Sequence, residues 1–336
     1  MNAEKYLKNL ITAVPEYELS PIDKKVITFE GIEKFIFNKL NSSRYKVAAY
    51  PGDLQQKMQE KIHYCVGNKL PIHMSVPFGG YKKWQLPSAP LPDWAEVFNF
   101  VLLRDFLAPI AKAYKYGVIL EYFSDEVFVA RMNNYPQKDL DQYNKEFENI
   151  IAYLSKYLPK NMSVKTSKIR DQITQKEILS RFEAAIPEIK GVFVKLPKTE
   201  QEKMLKKTER NYQGDLSKLP AKKRYNILLD STLVHEVFIN SDWDTDVPWA
   251  FAKDMIAIGF RYTKSWGLHL RSSRGSAVQF WIGIGALQKQ NRGYSPTILT
   301  YQQYLEALKE GKLKKEKIEI FKNKFKNLNE VFILTA

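Results

Sequence analysis

Residues 91–134, LPDWAEVFNFVLLRDFLAPIAKAYKYGVILEYFSDEVFVARMNN, contain the clearest structural pattern in the chain. Asp93 can accept hydrogen bonds from the first free amides of a helix, while Glu96 can reach back to it as in a capping box. Pro109 lacks the amide that a helix interior needs, so the helix either kinks there or gives way to a new one. Apolar residues recur at helical spacing and predict one buried face, formed by Trp94, Val97, Phe98, Val101 and Leu102.

Short runs of β-forming residues lie on both sides of this helix. LPIHMSV (70–76) alternates apolar residues and predicts a strand that a glycine loop closes. VILEYF (118–123) and VFVARM (127–132) predict two strands, most simply a hairpin, that meet at an acidic turn. IGIGAL (282–287) lacks the third glycine of a dinucleotide fingerprint and is typical of a strand in a packed sheet. Together these segments describe an α/β chain.

Composition divides the chain into three regions. Residues 1–50 are typical of helical segments joined by turns and form a helical N-terminal region. Residues 51–308 form the main domain, in which 225–239 have apolar strand character. Within it, residues 197–224 hold nine Lys/Arg against four Asp/Glu, which predicts a mobile basic segment or an active-site flap. Residues 309–336 predict a Lys-rich helix followed by a strand.

Composition also limits the classes of protein to which the chain can belong. The chain has 336 residues, 44% hydrophobic and 26% charged, so it can bury a core and is not generally disordered. Fifty-two Lys and Arg against 37 Asp and Glu leave +15, which favours phosphorylated metabolites, nucleic acid or a lipid surface as partners. Cys65 has no second cysteine with which to pair, which fits a reducing cytoplasm. No stretch is apolar enough to cross a bilayer, and no histidine spacing indicates a metal site.

The loop PFGGYKK (77–83) is a candidate anion site. Gly79 and Gly80 let backbone amides approach an anion closely, and Lys82 and Lys83 can supply positive charge to a phosphate or carboxylate. The spacing is not that of a P-loop, whose glycines lie farther apart and end in Gly-Lys-Ser/Thr. A plain tight turn with solvated lysines explains the same residues.

A second candidate is an arginine-bearing loop before the late strand. Arg271 and Arg274 can each hold a carboxylate or phosphate in two hydrogen bonds, and the Ser273 hydroxyl can fill a remaining acceptor. Arg261 and Tyr262 lie ten residues upstream and either join this site or cover a sheet edge. The alternative interpretation is a pair of surface arginines.

Single acidic and imidazole groups are candidates for proton transfer. Asp125 lies between two β-rich runs and can act as a general base for an amine, although an Asp in a turn more often bonds its own backbone. His73 and His269 lie beside the two candidate loops in apolar surroundings. Either can shuttle a proton near neutral pH, and the alternative for each is a hydrogen-bonded core imidazole.

In chain order, these segments resemble the isonitrile (isocyanide) synthase family of the pyoverdine and dityrosine pathways, as a divergent member. The resemblance covers residues 55–300 and is strongest in LPIHMSVPFGGYKK, in the stretch 91–134 and in DLDQYNKEF. A weaker similarity lies in GFRYTKSWGLHLRSSRGS. The chain departs from the family in the Lys-Ser-Pro-Asn loop and in the Arg-Leu-Ser-Ile-His-Pro element, and Glu126 stands where the family has Gly after its Ser-Asp turn.

This resemblance implies a modified Rossmann-like mixed sheet flanked by helices, with an added helical N-terminal region. It implies an enzyme that joins the amino group of a Tyr- or Trp-type amino acid to a phosphorylated ketose such as ribulose 5-phosphate. The family needs neither metal nor nicotinamide, so we expect no cofactor. An iron/oxoglutarate oxygenase that acts later in the same pathway is an expected partner.

The resemblance also implies roles for the candidate residues. Asp125 would be the base that deprotonates the attacking amine. Lys82 or Lys83 would contact the sugar phosphate or the developing oxyanion, and Arg271 and Arg274 would hold phosphate or substrate carboxylate. These groups are then expected to converge in one pocket.

Two other functions remain open. A nucleic-acid-binding protein would use the basic segment 197–224 and the lysine tail as one positive face. Against this, the lysines of the tail alternate with apolar residues, and stacking aromatics are not clustered with the arginines. The altered motifs also fit a relative that keeps the fold but has lost catalysis and acts as a binding or scaffold protein.

Overall fold

The structure is a computed structural model that describes residues 2–42, 52–78, 91–124, 126–241, 255–257 and 283–335. Its helices are α1 (Ala3–Thr12), α2 (Pro21–Phe29), α3 (Ile32–Leu40), α4 (Gly52–Gly67), α5 (Trp94–Ala113), α6 (Glu126–Asn133), α7 (Gln137–Leu154), α8 (Gln175–Phe193), α9 (Lys198–Asn211), α10 (Ala221–Asn240) and α11 (Tyr301–Lys309). Its strands are β1 (Ile72–Phe78), β2 (Val118–Ser124), β3 (Met162–Lys168), β4 (Met255–Ala257), β5 (Ile284–Gln290), β6 (Gly293–Leu299), β7 (Leu313–Lys317) and β8 (Glu330–Leu334).

Four parallel strands form the central sheet in the order β3-β2-β1-β4. Parallel neighbours need a crossover connection, and α5 supplies it between β1 and β2, while α6 and α7 supply it between β2 and β3. The order runs outward from β1 in both directions, as in doubly wound Rossmann-type sheets. The predicted α/β class with Rossmann-like strand order is therefore confirmed, and helices α1 to α3 form the added N-terminal region.

Helix α5 begins as the sequence predicts. Asp93 Oδ1 accepts from the Ala95 amide at 2.7 Å, and Glu96 Oε2 accepts from the Asp93 amide at 2.7 Å, which completes a capping box. The helix continues through Pro109 to Ala113, so no new helix starts at the proline. Residues on nearly all sides of α5 are buried, and this packing outweighs one missing backbone hydrogen bond.

Residues 127–132, predicted as a strand, belong to helix α6. The hairpin prediction is wrong, because β2 ends at Ser124 and residues 126–133 form a helix rather than a second strand. A short continuous apolar run fits a buried strand and a buried helix equally well, and periodicity cannot separate them. Here Val127, Phe128 and Val129 are all buried, since α6 packs against both α7 and α10.

Residues 225–239, to which the sequence analysis gave strand character, lie in helix α10. Pro220 precedes its first turn, where a missing amide costs no hydrogen bond. Helix α10 packs against α6, α8 and α9, so it buries apolar residues on several sides and shows no single helical stripe. Without such a stripe, the apolar residues of 225–239 do not indicate a helix.

A second four-stranded sheet, ordered β6-β5-β8-β7, contains the antiparallel pairs of the fold. The predicted strand 282–287 is confirmed from Ile284 onward. Residues 309–336 supply β7 and β8, so the terminal strand is confirmed and the Lys-rich helix is wrong. Leu313–Lys317 is an edge strand with exposed charged side chains, which is a usual composition for a sheet edge.

The basic segment 197–224 consists of α9, a turn and the first residues of α10. Its mobility and its role as an active-site flap stay predictions. No helix in the part of the chain that the structure describes is long and apolar enough to cross a membrane.

Two hydrophobic cores hold these layers together. The first joins the central sheet, the N-terminal helices, α5, α7 and the second sheet. The second lies among α6, α8 and α10 and includes Phe123 from β2. Phe238 packs against both cores, so the helical layer is continuous with the sheet.

Gly285 allows strand β5 to approach the first turn of α5. A Cβ on this residue would lie 2.3 Å from the Ala95 amide nitrogen and 2.4 Å from the Trp94 carbonyl carbon. We expect Gly285→Ala to lower the free energy of unfolding by about 2 kcal/mol or more, because both contacts are with backbone. Urea-induced unfolding measures this change.

Gly191→Ala is the matched control for this variant. Gly191 lies in α8, and apart from its chain neighbours and the backbone of its own helix no atom would come within 4 Å of its added Cβ. We expect it to keep or slightly raise stability, because Ala is the better helix former. Equal losses in the two variants would contradict the tight packing of β5 on α5.

Candidate active site at the carboxyl edge of the parallel sheet

The central strands end side by side at one edge of the sheet. Phe78, the last residue of β1, pairs in register with Ser124, the last residue of β2. Ser124 pairs in turn with Lys168, the last residue of β3. Because all the strands are parallel, β4 also points its carboxyl end toward this edge. Ligands of open α/β sheets bind in the crevice outside such an edge.

The strand order places a topological switch point at β1 and β4. From β1 the chain continues to β2 and then to β3 on one side of β1, whereas β4 lies on the other side. At such a point, neighbouring connections leave the sheet in opposite directions and open a crevice between them. The candidate active site is therefore the carboxyl edge around β1.

Most residues predicted for the site lie outside the described residues, and their roles stay predictions. These are Gly79, Gly80, Lys82, Lys83, Asp125, Arg261, Tyr262, His269, Arg271, Ser273 and Arg274. Gly79 follows the last residue of β1, and Asp125 follows the last residue of β2. The chain therefore leaves the same edge of the sheet into both segments.

Polar contacts fix the described residues on either side of position 125. The Ser124 hydroxyl donates to Asn144 Oδ1 on α7 at 3.1 Å. Arg170 Nε lies 2.7 Å from Glu126 Oε1, and the same guanidinium binds Asp141 on α7. The end of β2 and the start of α6 are thus both tied to neighbouring elements.

Glu126 is the functional candidate that the sequence analysis missed. It is fully buried in the first turn of α6. Burial raises the pKa of its carboxyl group, while Ser124 and Arg170 act in the opposite direction. In the sequence, a carboxylate beside an apolar run indicates a buried charge, and a buried charge needs a partner. The sequence alone does not identify Arg170 as that partner.

A second network of buried hydrogen bonds joins α5 to α7 and to β2. Glu96, besides capping α5, accepts from the Tyr143 hydroxyl at 2.6 Å, which confirms its structural role. The Tyr122 hydroxyl donates to Asn99 Oδ1 at 2.8 Å. Burial and the nearby Glu96 carboxylate raise the pKa of both tyrosines well above the usual value, so both hydroxyls stay protonated donors.

His73 is the one predicted site residue that the structure describes. It is buried on β1, and its Nε2 lies 2.5 Å from Glu121 Oε2 on β2. Glu121 also accepts from the Ser167 hydroxyl at 2.5 Å and pairs with Lys165 at 3.1 Å, both on β3. Burial raises the pKa of Glu121, but the hydrogen bonds from His73, Ser167 and Lys165 outweigh it and lower that pKa to about 2.

The position of His73 favours the core-imidazole interpretation over the proton shuttle. His73 lies five residues before Phe78, a separation of about 16 Å along an extended strand. Glu121 remains an anion near neutral pH and can only accept, so His73 Nε2 carries the proton of this contact. The shuttle role stays a prediction. Within the described ranges, no cluster of His, Cys, Asp or Glu is arranged to hold a metal ion.

Comparison with known proteins agrees at the level of the fold. No protein-family model and no curated protein matches the chain. Among solved structures, the chain is similar to the crystal structure of the PvcA protein from Pseudomonas aeruginosa, with a TM-score of 0.61 and 13% sequence identity. The match covers 90% of this chain and 99% of that chain. At this identity the similarity shows a shared fold.

The Glu121 network predicts a defined loss of stability in acid. Its lowered pKa means that the ionised carboxylate stabilises the fold above the ordinary pKa of 4.5, and this contribution is lost as pH falls toward 2. Between pH 5 and 2 we expect the wild type to lose ~3 kcal/mol more than Glu121→Gln. Ser167→Ala should give an intermediate loss. Parallel pH profiles in denaturant titrations would contradict the assigned network.

The tie between Arg170 and Glu126 predicts a large stability loss when it is cut. Arg170→Ala leaves the buried Glu126 without its counter-charge, so we expect the free energy of unfolding to fall by about 3 kcal/mol. Arg181→Ala is the control, because Arg181 pairs with the half-exposed Glu177 on the surface of α8. That variant should change stability by about 0.5 kcal/mol or less. Equal effects in thermal and urea unfolding would show that Glu126 is not held by Arg170.

Proposed function

We propose that the chain is an isonitrile-synthase-like enzyme that condenses the amino group of a Tyr- or Trp-type amino acid with a phosphorylated ketose such as ribulose 5-phosphate. The observation that carries the proposal is the parallel pairing of β1 and β2, with Phe78 opposite Ser124. The glycine-lysine loop follows the first strand end, and Asp125 follows the second. The candidate anion-binding loop and the candidate base therefore follow two strand ends that lie side by side at one edge of the sheet.

The chemistry of such a condensation matches these residue types. The amine nitrogen must be unprotonated to attack the ketone carbon, and Asp125 is the proposed base. As the carbon-nitrogen bond forms, the carbonyl electrons pass to oxygen, and the amide groups of Gly79 and Gly80 with Lys82 are proposed to stabilise the charge. Protonation of that oxygen and loss of water then give the imine.

Charge complementarity supports a phosphorylated substrate. A phosphate dianion needs several donors, and Lys83, Arg271 and Arg274 are proposed to supply them. Ser273 and the Arg261-Tyr262 pair are proposed to complete the substrate site. The net charge of +15 favours the approach of anionic substrates.

Two independent similarities support the same proposal. The motifs between residues 55 and 300 resemble the isonitrile synthases. The fold shared with PvcA extends over 90% of the chain and agrees with a Rossmann-like enzyme of this kind. Glu126, which replaces the family's glycine, distinguishes this chain and lies fully buried at the proposed site.

Turnover tests the proposal directly. Purified protein is incubated with tyrosine or tryptophan and ribulose 5-phosphate, and mass spectrometry follows the isonitrile product. We expect product from the wild type and a loss of about 100-fold or more in Asp125→Asn, because a general base contributes on this scale. Lys82→Met should lower kcat, because it removes charge stabilisation from the developing oxyanion, whereas Lys83→Met should raise KM for the phosphosugar. Lys24→Met, at an exposed position of α2, is the control and should leave turnover unchanged.

The alternatives give different results in the same samples. Tight binding of either substrate without turnover would favour a scaffold relative or an altered substrate. Binding of single-stranded nucleic acid that weakens steeply with salt would favour the nucleic-acid-binding function. Absence of both substrate binding and turnover would overturn the proposal.

A further inference from the structure

A small polar chamber lies in the helical layer, apart from the carboxyl edge. Its volume is about 60 Å³, and it opens between α6, α9 and α10. The helices around it otherwise pack through the apolar second core. Its buried polar lining consists of Asn133, Thr208, Asn211, Ser231 and Thr232. Five polar residues converge here where the surrounding layer is hydrophobic.

The hydrogen bonds of this lining leave two buried amide groups without an acceptor among the described residues. Thr208 and Thr232 share a hydrogen bond of 2.7 Å, and the Ser231 hydroxyl donates to the Met132 carbonyl. The Nδ2 groups of Asn133 and Asn211 have no acceptor among the described residues. Both side chains are nearly inaccessible, with 2% and 1% of their surface exposed. Buried donors of this kind almost always have a partner.

We propose that this chamber binds the carboxylate group of a small organic acid. Two amide groups on different helices can donate to the two oxygens of one carboxylate. The volume leaves room for such a group, since about 10–15 Å³ of space of this kind is enough to hold one water molecule. Exposed Lys207 at the rim adds positive charge on the solvent side.

The acidic residue at the rim does not oppose this assignment. Glu236 also lines the chamber, but its Oε1 lies 3.1 Å from His235 Nδ1 and its Oε2 accepts from Asn240 at 2.6 Å. Both of its oxygens therefore have partners. The two buried amide groups offer hydrogen-bond donors to the chamber, and Lys207 adds a positive charge to the lining that contains Glu236.

The chamber is linked to the candidate active site through α6. This helix begins at Glu126, at the carboxyl edge, and ends at Asn133, which lines the chamber. The two residues are separated by roughly 10 Å along the helix axis. A ligand in the chamber would hold the carboxyl-terminal end of α6, the helix that begins at the candidate active site. The proposal itself rests on the chamber alone and does not depend on the proposed enzymatic function.

Titration of the full chain with sodium formate and acetate tests the proposal. Side-chain amide resonances in nitrogen-15 NMR report on the individual asparagines. We expect the Asn133 and Asn211 signals to shift together and to saturate at the same concentration. Asn144, whose Nδ2 is also buried and unpartnered but lies outside the chamber, is the internal control and should not shift. Sodium chloride should reproduce none of these shifts, and neutral formamide should bind more weakly.

Substitutions separate ligand binding from folding. Asn211→Leu should weaken formate binding by roughly tenfold or more, as expected for one hydrogen bond to a charged acceptor. Should this variant fail to fold, Thr208→Val and Lys207→Met change the chamber more gently and should weaken binding to a smaller degree. Absence of saturable shifts, or equal shifts with chloride and formamide, would show that water alone fills the chamber and would overturn the proposal.

Discussion

The parallel pairing of β1 with β2 is the constraint on which the rest of the structure depends. Antiparallel neighbours can be joined by a tight turn, whereas parallel neighbours need a long crossover, and α5 fills that need with its capped start at Asp93. The same pairing sets Phe78 beside Ser124 and so fixes the edge from which both candidate loops leave. Burial of Glu126 against Arg170 then anchors the next helix at this edge.

The sequence predicted the elements whose signals are local. The cap at Asp93 and the strand predicted at 70–76 follow from capping chemistry and spacing, and both are present, the strand as Ile72–Phe78. The strand order and the second sheet could not be derived from the chain, because pairing depends on contacts between residues far apart in sequence. The family resemblance, rather than periodicity, supplied the Rossmann-like prediction.

Two of the errors have one physical origin. Residues 127–132 and 225–239 were given strand character because their apolar residues form continuous runs, and both are helices buried on several sides. The partners of buried charged groups could not be predicted from the sequence either. Glu121 stands in an apolar strand, yet nothing local indicates that His73 and Lys165 lie on its two neighbouring strands. Tertiary contact decides such pairs.

Substrate binding at the carboxyl edge of the parallel sheet is the central proposal for this protein. A crystal structure of the chain with bound ribulose 5-phosphate tests this most directly. We expect the phosphate to lie outside the ends of β1 and β2, beyond Phe78 and Ser124. A phosphate at the opposite, amino edge of the sheet, or on the second sheet, would contradict it.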